Sequence, residues 1–459
     1  MIRIYLDWNV ISQMKNGAHS MLYSLLLENK KNILIFYSGA HIDDINKNIN
    51  SDINEITKSD LKFLSELTSN NCLFLDMNNI LNTDFIDPLN YLKDRLEERE
   101  LFEGNLSDKL ISYIDEIEQF NPNLAANYKN FLHTDCDFDI GPLKNIFPEL
   151  KGGSFKNILD SMFELFKNMN NTERYSGLRK LIQNGLSINR DKIFNSDNPF
   201  EQIKSVFTKT GITYDNFIET IRSNLKQDEN WYNQITNTYI NLDMFGFKED
   251  KVFVKPNKSN TFKNIINDAS HAAFGSICHY FITNDNRAYE KTKATYNVHC
   301  INTNLCKPDE AYNSLKNMND FNILGKIFDQ IPQEYDNGHK SEVLLNNDSM
   351  KFTMIISQIM FIYFFNKIYV PEFFGKDRYL ILSTDKPTNG NFYYRQEIEN
   401  LVSNIDDLLD IQKENRVRFS DDEFETIKNN GDWKRNYCGT DIMLTLTQYD
   451  GFIQLYIYL

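Results

Sequence analysis

The stretch MIRIYLDWN, residues 1–9, places an aspartate directly after a short apolar run. Ile4, Tyr5 and Leu6 predict a buried strand that ends at Asp7, and a helical pattern follows at once. An aspartate at this point can cap the helix that follows. It can also belong to a group of carboxylates that share one end of a sheet. The rest of the sequence decides between the two.

Strands and helices alternate in two parts of the chain. Short apolar runs typical of buried strands occupy residues 32–38, 71–76, 281–283 and 298–302. Apolar residues at helical spacing mark residues 41–53, 60–67, 261–280 and 286–296. This alternation predicts an α/β fold, a Rossmann-like parallel sheet with helices on both faces.

The chain between these two parts has a different character. Residues 77–254 are long polar segments with helical spacing and few strand signals, so we expect a mostly helical insertion. The α/β unit then consists of residues 1–76 and 255–308. Residues 309–459 form a C-terminal domain of mixed α and β, which ends in a hairpin that turns at residues 449–451.

The composition is that of a folded and acidic protein. A net charge of −15 gives no overall attraction to nucleic acid or to anionic lipid, so a polyanion must be met by local bases or bound cations. Six cysteines without a CxxC pair, and no visible signal peptide, favour a cytoplasmic protein. The most apolar run, residues 352–370, contains several polar side chains, so we expect a buried helix or strand pair and no membrane span.

Four aspartates share a context that favours metal binding. Asp7 follows the first strand, and Asp44 lies on the helix after the second strand. Asp268 lies on the helix before the strand at residues 281–283, and Asp285 follows that strand. Carboxylates gathered at one sheet edge repel one another unless a cation neutralises them. Mg²⁺ or Mn²⁺ prefers such oxygen ligands and can activate water for phosphodiester hydrolysis.

Each aspartate also has a structural explanation when it is taken alone. Asp7 can be a helix N-cap, which contributes about 1 kcal/mol. Asp43, Asp44 and Asp268 can interact favourably with helix dipoles. Asp285 can form part of a turn. The order and context of the four positions nevertheless fit one pattern, so we expect them to act as a set.

These stretches resemble the motifs of PIN-domain ribonucleases. IYLDWNVIS, residues 4–12, resembles the opening strand of the family, with an Asp, one residue and an Asn. YSGAHIDDI resembles its second motif, in a register that selects Asp44 over Asp43. NDASHAAFGSICHYFITNDNRAY, residues 267–289, resembles the third and fourth motifs run together. The long insertion, and an Asp where Glu is common in the second motif, depart from the family pattern.

The resemblance implies a PIN-like fold and an endoribonuclease that cleaves single-stranded RNA with Mg²⁺ or Mn²⁺. The implied metal ligands are Asp7, Asp44, Asp268 and Asp285, and the implied supporting residues are Asn9, Thr283 and Asn284. By the same analogy we expect a role as a bacterial toxin or anti-phage effector, in which the additional domains act as a sensor or an inhibitor, and a regulatory protein is an expected partner. A catalytically inactive scaffold and a DNA or flap nuclease are the alternatives.

Basic residues lie close to the proposed ligands in the sequence. Residues 251–300 carry seven bases against three acids, and Lys263, Arg287 and Lys291 among them are candidates for contacts to a nucleic-acid backbone. An ordinary helix exterior has the same composition. His271 and His41 each lie three residues from a proposed ligand, where a histidine can touch a phosphate, orient the carboxylate or serve a structural role.

Overall fold

The structure is a computed structural model of the chain. It describes residues 1–47, 53–76, 79–102, 106–136, 153–157, 160, 172–209, 213–216, 219, 230–249, 262–320, 323–337, 339–345, 350–371, 379–384, 394–429, 431–439, 442–449 and 451–458.

The secondary-structure elements are numbered in chain order over the described residues. The strands are β1 Ile2–Leu6, β2 Ile33–Ser38, β3 Asn71–Leu75, β4 Leu81–Phe85, β5 Asp135–Cys136, β6 Gly153–Ser154, β7 Tyr280–Ile282, β8 Asn304–Cys306, β9 His339–Leu345, β10 Met350–Phe361, β11 Phe365–Pro371, β12 Tyr379–Ser383, β13 Lys434–Cys438, β14 Met443–Tyr449 and β15 Phe452–Tyr458. The helices are α1 Trp8–Lys15, α2 Ser20–Glu28, α3 Gly39–Asn46, α4 Glu55–Thr68, α5 Pro88–Phe102, α6 Leu106–Glu118, α7 Pro122–Leu132, α8 Thr172–Gly185, α9 Arg190–Phe194, α10 Pro199–Lys209, α11 Trp231–Met244, α12 Phe262–Gly275, α13 Asn286–Val298, α14 Pro308–Leu315, α15 Leu324–Asn337, α16 Arg395–Leu408 and α17 Asp421–Lys428.

The first sheet contains six of the described strands, in the order β4-β3-β2-β1-β7-β8. Strand β1 lies inside it and pairs in parallel with β2 and β7. Strands β3 and β8 extend the parallel arrangement, and β4 adds an antiparallel strand at one edge. The prediction of an α/β fold with parallel strands is confirmed, and β4 makes the sheet mixed.

Strand β1 is buried on both faces because helices cover the sheet on both sides. Alternate side chains of a strand point to opposite faces. Ile4 and Leu6 enter the core shared with α1, α2 and α4, whereas Tyr5 enters the core shared with α11 and α12. All three side chains have no exposed surface. This double burial explains why residues 2–6 are an uninterrupted apolar run apart from Arg3.

The described part of residues 77–254 is mostly helical. Three elements nevertheless extend the first sheet and its helical layers beyond the predicted boundaries. Strand β4 pairs with β3, helix α11 packs on α12, and helix α14 packs on α2. The hydroxyl of Tyr232 on α11 lies 2.8 Å from the Ser270 hydroxyl on α12. The α/β unit therefore includes elements that lie outside its predicted ranges of residues 1–76 and 255–308.

Two predicted element boundaries need correction. The strand expected at residues 298–302 is wrong, because α13 continues to Val298 and the parallel strand β8 begins only at Asn304. Cys300 has a φ of 52°, a left-handed conformation that interrupts extended structure between the two elements. The helix expected over residues 41–53 ends at Asn46, and residues 48–52 lie outside the described part of the chain.

The second large sheet lies in the C-terminal region and is antiparallel throughout its described pairings. Its seven strands follow the order β13-β14-β15-β12-β11-β10-β9. The apolar run at residues 352–370 forms the strand pair β10–β11, which is one of the two structures predicted for it. Strands β14 and β15 form the predicted terminal hairpin. Over the described residues, the helices are too short or too polar to cross a membrane.

Helix α16 attaches the C-terminal region to the central strand of the first sheet. Arg3 on β1 donates from Nε and Nη2 to the two carboxylate oxygens of Glu397, each at 2.7 Å. Both side chains are buried, and the Arg3 guanidinium lies 4.8 Å from the Tyr394 ring centroid. This bidentate ion pair joins residues at opposite ends of the sequence.

A second ion pair stabilises the C-terminal region from within. Glu423 on α17 accepts hydrogen bonds from Arg435 Nε at 2.7 Å and Nη2 at 2.6 Å, and from Trp433 Nε1 at 3.0 Å. Burial alone would raise the pKa of Glu423, but these hydrogen bonds lower it from 4.5 to about 2. The ionised carboxylate therefore stabilises the folded state above pH 4.5, and that stabilisation is lost as the pH falls through about 2.

We expect Glu423→Gln to lower the free energy of unfolding at pH 7 by about 1 to 2 kcal/mol, because the amide cannot form the charge-assisted pair and solvent screens part of that pair's effect. The difference from the parent should shrink as the pH falls from 5 towards 2. Thermal denaturation at several pH values measures it. Glu425→Gln is the matched control, since Glu425 forms an exposed pair with Lys428. A difference that stays constant with pH would contradict this assignment.

Candidate metal centre

Three neighbouring parallel strands end at the same edge of the first sheet. Asp7 follows β1, α3 follows β2, and Thr283 follows β7. The Asp7 N–H donates to the Ile282 carbonyl at 2.9 Å, which continues the sheet ladder by one residue. The carboxyl ends of parallel strands are where α/β proteins bind ligands. The first and last predicted motifs therefore meet in space, although the insertion separates them in sequence.

Asp7 is held by the side chains that the sequence resemblance marks as supporting residues. Its Oδ2 accepts a hydrogen bond from the Thr283 hydroxyl at 2.7 Å and one from the Asn9 side-chain amide at 2.5 Å. Its Oδ1 caps helix α1 through the Asn9 N–H at 3.4 Å. Asn284 reinforces the loop, since its N–H donates to Asn9 Oδ1 at 3.0 Å. Asp7 is thus an N-cap and also a member of the site.

The ionised form of Asp7 is unfavourable in these surroundings. The residue is only 8% exposed, and burial raises the pKa of its carboxyl. The charge of Asp44 raises it further, whereas His271 and the Thr283 hydrogen bond lower it. A bound cation would favour the ionised carboxylate, which is the expected behaviour of a metal ligand.

Asp44 lies near the end of α3 and receives three hydrogen bonds. Its Oδ2 lies 2.9 Å from His271 Nε2, and its Oδ1 accepts from the Asn267 amide at 2.6 Å and from Lys47 Nζ at 2.5 Å. Burial alone would raise the pKa of Asp44, but the His271 and Lys47 contacts hold it well below its usual range. Asp44 therefore remains ionised at neutral pH.

His271 connects Asp44 to a buried tyrosine. Its Nδ1 lies 2.9 Å from the Tyr5 hydroxyl, which in turn lies 2.6 Å from the Ser38 hydroxyl. Burial alone would lower the pKa of His271, but the bond to Asp44 and the charge of Asp7 raise it. The ring lies between the Asp44 carboxylate and the Tyr5 hydroxyl, and these two hydrogen bonds fix its orientation.

His41 has a different and purely structural role. Its Nδ1 accepts from the Ser38 N–H at 3.0 Å, so the ring proton lies on Nε2 and is donated to the Leu6 carbonyl at 2.7 Å. Burial lowers the pKa of His41 to about 3, which keeps the ring neutral. The residue completes the capping box of α3 and ties that helix to β1.

The polar atoms of Asp7, Asp44 and His271 lie within 4.8 Å of one another. Asp268 is not in this group, although its charge acts on His271 and on Lys47. His271 lies one helical turn after Asp268 on α12 and is the third member of the group. The structure therefore brings together two of the four predicted carboxylates, with a histidine beside them.

Asp285 has a capping role at the start of α13. Its Oδ1 accepts hydrogen bonds from the Arg287 N–H at 2.7 Å and the Ala288 N–H at 2.9 Å. The residue is exposed and lies outside the Asp7–Asp44–His271 group. Its charge nevertheless acts on Lys307, as does the charge of Asp7. Asp285 thus lies at the margin of the site.

The basic candidates separate into exposed and buried residues. Lys263 is exposed and Arg287 is half-buried, so both can meet a ligand at the surface. Lys291 cannot, because it has no exposed surface and its Nζ donates to Asp243 at 2.9 Å. The prediction that Lys291 contacts a nucleic-acid backbone is therefore wrong. Lys291 forms a buried ion pair with Asp243 instead. The neighbouring bases Lys251, Lys255 and Lys258 lie outside the described residues.

Two lysines at this edge were missed from the sequence. Lys47 lies three residues after Asp44, the spacing at which helical side chains meet, and this was a usable signal. Lys307 directly follows strand β8, so its position could have been found once β8 was placed correctly. Its Nζ is buried without a hydrogen bond and lies 4.8 Å from the Tyr289 ring centroid.

Three comparisons with known proteins found no match. No protein-family model matches the chain, and neither a curated protein nor a solved structure matches it. The function is therefore inferred from the residues of the site, since a fold alone does not establish an activity.

Proposed function

We propose that the chain is a PIN-like, metal-dependent endoribonuclease. The observation that carries this proposal is the convergence of Asp7, Asp44 and His271, whose polar atoms lie within 4.8 Å of one another at the carboxyl ends of parallel strands. Two buried carboxylates this close repel each other, and a cation between them would offset that repulsion together with Lys47 and His271. The sequence resemblance supplies the reaction class and the preference for RNA.

The donor set fits a hard divalent cation. Oxygens of Asp7 and Asp44 would hold the ion. The resemblance also implies Asp268 and Asp285 as ligands, but these two lie outside the Asp7–Asp44–His271 group. Carboxylate oxygens suit Mg²⁺ and Mn²⁺. When bound, the ion lowers the pKa of a water and stabilises charge on the leaving oxygen.

The side chains around the two carboxylates position them. Thr283 and Asn9 hydrogen-bond to the Asp7 carboxylate and fix its orientation. His271 does the same for Asp44 through Nε2, and its Nδ1 is held by Tyr5. Hydrogen-bonded neighbours of metal ligands set their orientation and basicity. The exposed base Lys263 would help to attract a phosphate backbone towards this acidic edge.

The proposal is tested by incubating the purified chain with labelled single-stranded RNA and single-stranded DNA of the same sequence. Reactions contain Mn²⁺, Mg²⁺, Ca²⁺ or a chelator. We expect cleavage of RNA with Mn²⁺ or Mg²⁺ and none with the chelator. Faster cleavage of DNA would favour a DNA or flap nuclease. Binding of RNA and Mn²⁺ without cleavage would favour an inactive scaffold, and cleavage in the presence of chelator would refute metal dependence.

Lys47 is expected to compete with the metal for Asp44. Its ammonium donates to Asp44 and is also attracted by Asp268 and Asp7. We therefore expect Lys47→Gln to bind Mn²⁺ about fivefold more tightly, the effect of an ion pair worth about 1 kcal/mol. Isothermal titration calorimetry with Mn²⁺ measures the affinity.

The matched control for this titration is Lys58→Gln. Lys58 lies on the nearby helix α4 and forms an exposed pair with Glu55. It should leave the Mn²⁺ affinity unchanged. An unchanged or weaker affinity in Lys47→Gln would show that the ammonium does not compete with the ion.

A further inference from the structure

A cavity of about 350 Å³ lies in the C-terminal region, on a different sheet from the proposed metal centre. It is bounded by the end of α16, by strand β13, by the start of α17 and by the loop between the two helices. Its volume is far larger than a single ion needs and lies in the range of small-molecule pockets. The lining combines the apolar side chains Ile411 and Val417 with several polar groups.

The arginine and glutamate of this cavity have already used their hydrogen-bonding groups on each other and on the loop. Arg435 donates twice to Glu423, and it also donates to the carbonyls of Val417 at 2.8 Å and Arg418 at 2.9 Å. Glu423 accepts a further bond from Trp433. This network fixes the wall of the cavity and leaves little positive charge for an anionic ligand.

Asp406 differs from these two residues, because its carboxylate receives no hydrogen bond from the described part of the chain, although the residue is only 5% exposed. Tyr437 is 6% exposed, and its buried hydroxyl lies near Arg435 without a well-aligned hydrogen bond among the described residues. The charge of Asp406 also acts on this hydroxyl, so the two groups lie in the same part of the cavity.

A carboxylate on so buried a residue usually has a hydrogen-bond partner, so the lack of one for Asp406 among the described residues calls for an explanation. The adjacent residue Asp407 shows the ordinary arrangement, since it is exposed and pairs with Arg416 at 2.7 Å. Burial raises the pKa of Asp406, and the nearby charges of Arg416 and Arg435 oppose that rise. A cationic donor bound to this carboxylate would satisfy it and favour its ionised form.

We propose that this cavity binds a small organic cation of the amidine or guanidine class. The paired N–H groups of such a ligand match the two oxygens of the Asp406 carboxylate, which is the geometry of bidentate recognition. The planar body of the ligand would pack against Ile411, Val417 and the Tyr437 ring, and its remaining polar atoms would meet the Tyr437 hydroxyl. This site is independent of the proposed nuclease activity.

Benzamidinium, benzamide and benzoate provide a matched set of probes, because they share a shape and differ in charge. Titration calorimetry on the full chain should detect benzamidinium binding and no benzoate binding. Asp406→Asn should weaken benzamidinium binding by about tenfold or more, since it removes a charge-assisted pair. Tyr437→Phe should weaken it by about threefold. Asp407→Asn, the neighbouring control, should leave it unchanged.

Equal affinity in Asp406→Asn and the parent would overturn the proposal, and so would benzoate binding as tightly as benzamidinium. A second measurement needs no variant. Cys438 lines the cavity and is exposed, whereas Cys300 is exposed in the first α/β unit. Saturating benzamidinium should slow the alkylation of Cys438 by about fivefold or more and leave Cys300 unaffected. No slowing at Cys438, or equal slowing at both thiols, would contradict a ligand in this cavity.

Discussion

Asp7→Asn is expected to lower RNA cleavage and Mn²⁺ affinity by about 10²- to 10³-fold, because it removes one of the two carboxylates that would hold the ion. The same change should leave the thermal stability equal to that of the parent or higher. Asp7 is buried beside Asp44, and both conditions make its negative charge unfavourable in the metal-free protein. Because Asn is about as good an N-cap as Asp, a loss of activity in this variant reports the missing carboxylate and not a missing cap.

The control for this experiment is Asp43→Asn. Asp43 immediately precedes Asp44 in the sequence but is not part of the Asp7–Asp44–His271 group. It should retain cleavage and Mn²⁺ binding within about twofold, as expected for a residue that does not touch the ion. If Asp7→Asn kept its activity and its Mn²⁺ affinity, Asp7 would serve as a helix cap and not as a metal ligand, since Asn caps about as well as Asp.

The largest loss of stability is expected from Glu397→Leu, at about 3–5 kcal/mol. The substitution leaves the Arg3 guanidinium buried between the central strand and helix α16 without a counter-charge. The double variant Arg3→Met/Glu397→Leu should recover most of that loss, because an apolar pair of similar volume carries no unpaired charge. Urea denaturation followed by circular dichroism measures both variants.

Glu399→Leu is the matched control on the same helix. Glu399 forms an exposed pair with Arg395, so its loss should change the stability by less than about 0.5 kcal/mol. If Glu397→Leu behaved like Glu399→Leu, the buried pair would not be what joins α16 to the sheet. If the double variant were as unstable as the single one, packing of these side chains would outweigh their charge.

Much of the fold could be predicted because buried parallel strands are apolar along their length. Residues 2–6, 33–38 and 71–75 belong to such runs, and the predicted alternation placed them correctly. Strand β4 could not be recognised, since LNTDF is polar and acts only as an edge strand against β3. The error at residues 298–302 arose because apolar residues at a helix end resemble a short strand.

The site was less accessible from the sequence than the fold. The resemblance assigned Thr283 to the last acid, Asp285, or to a metal-bound water, whereas its hydroxyl donates to Asp7. The resemblance also could not show which face of α12 points at the carboxylates. One helical turn separates Asp268 from His271, and tertiary packing turns His271 towards Asp44. The burial of Lys291 was equally hidden, because its partner Asp243 lies in the predicted insertion.

The separation of Asp7 from Thr283 by 276 residues has a consequence for synthesis on the ribosome. The N-terminal strand and its aspartate leave the ribosome early, but β7 and His271 follow only after the long insertion has been made. A nascent chain therefore holds both carboxylates, Asp7 and Asp44, before it holds Thr283 and His271, which position them. For the proposed ribonuclease, the site is expected to stay incomplete, and the enzyme inactive, until β7 has left the ribosome.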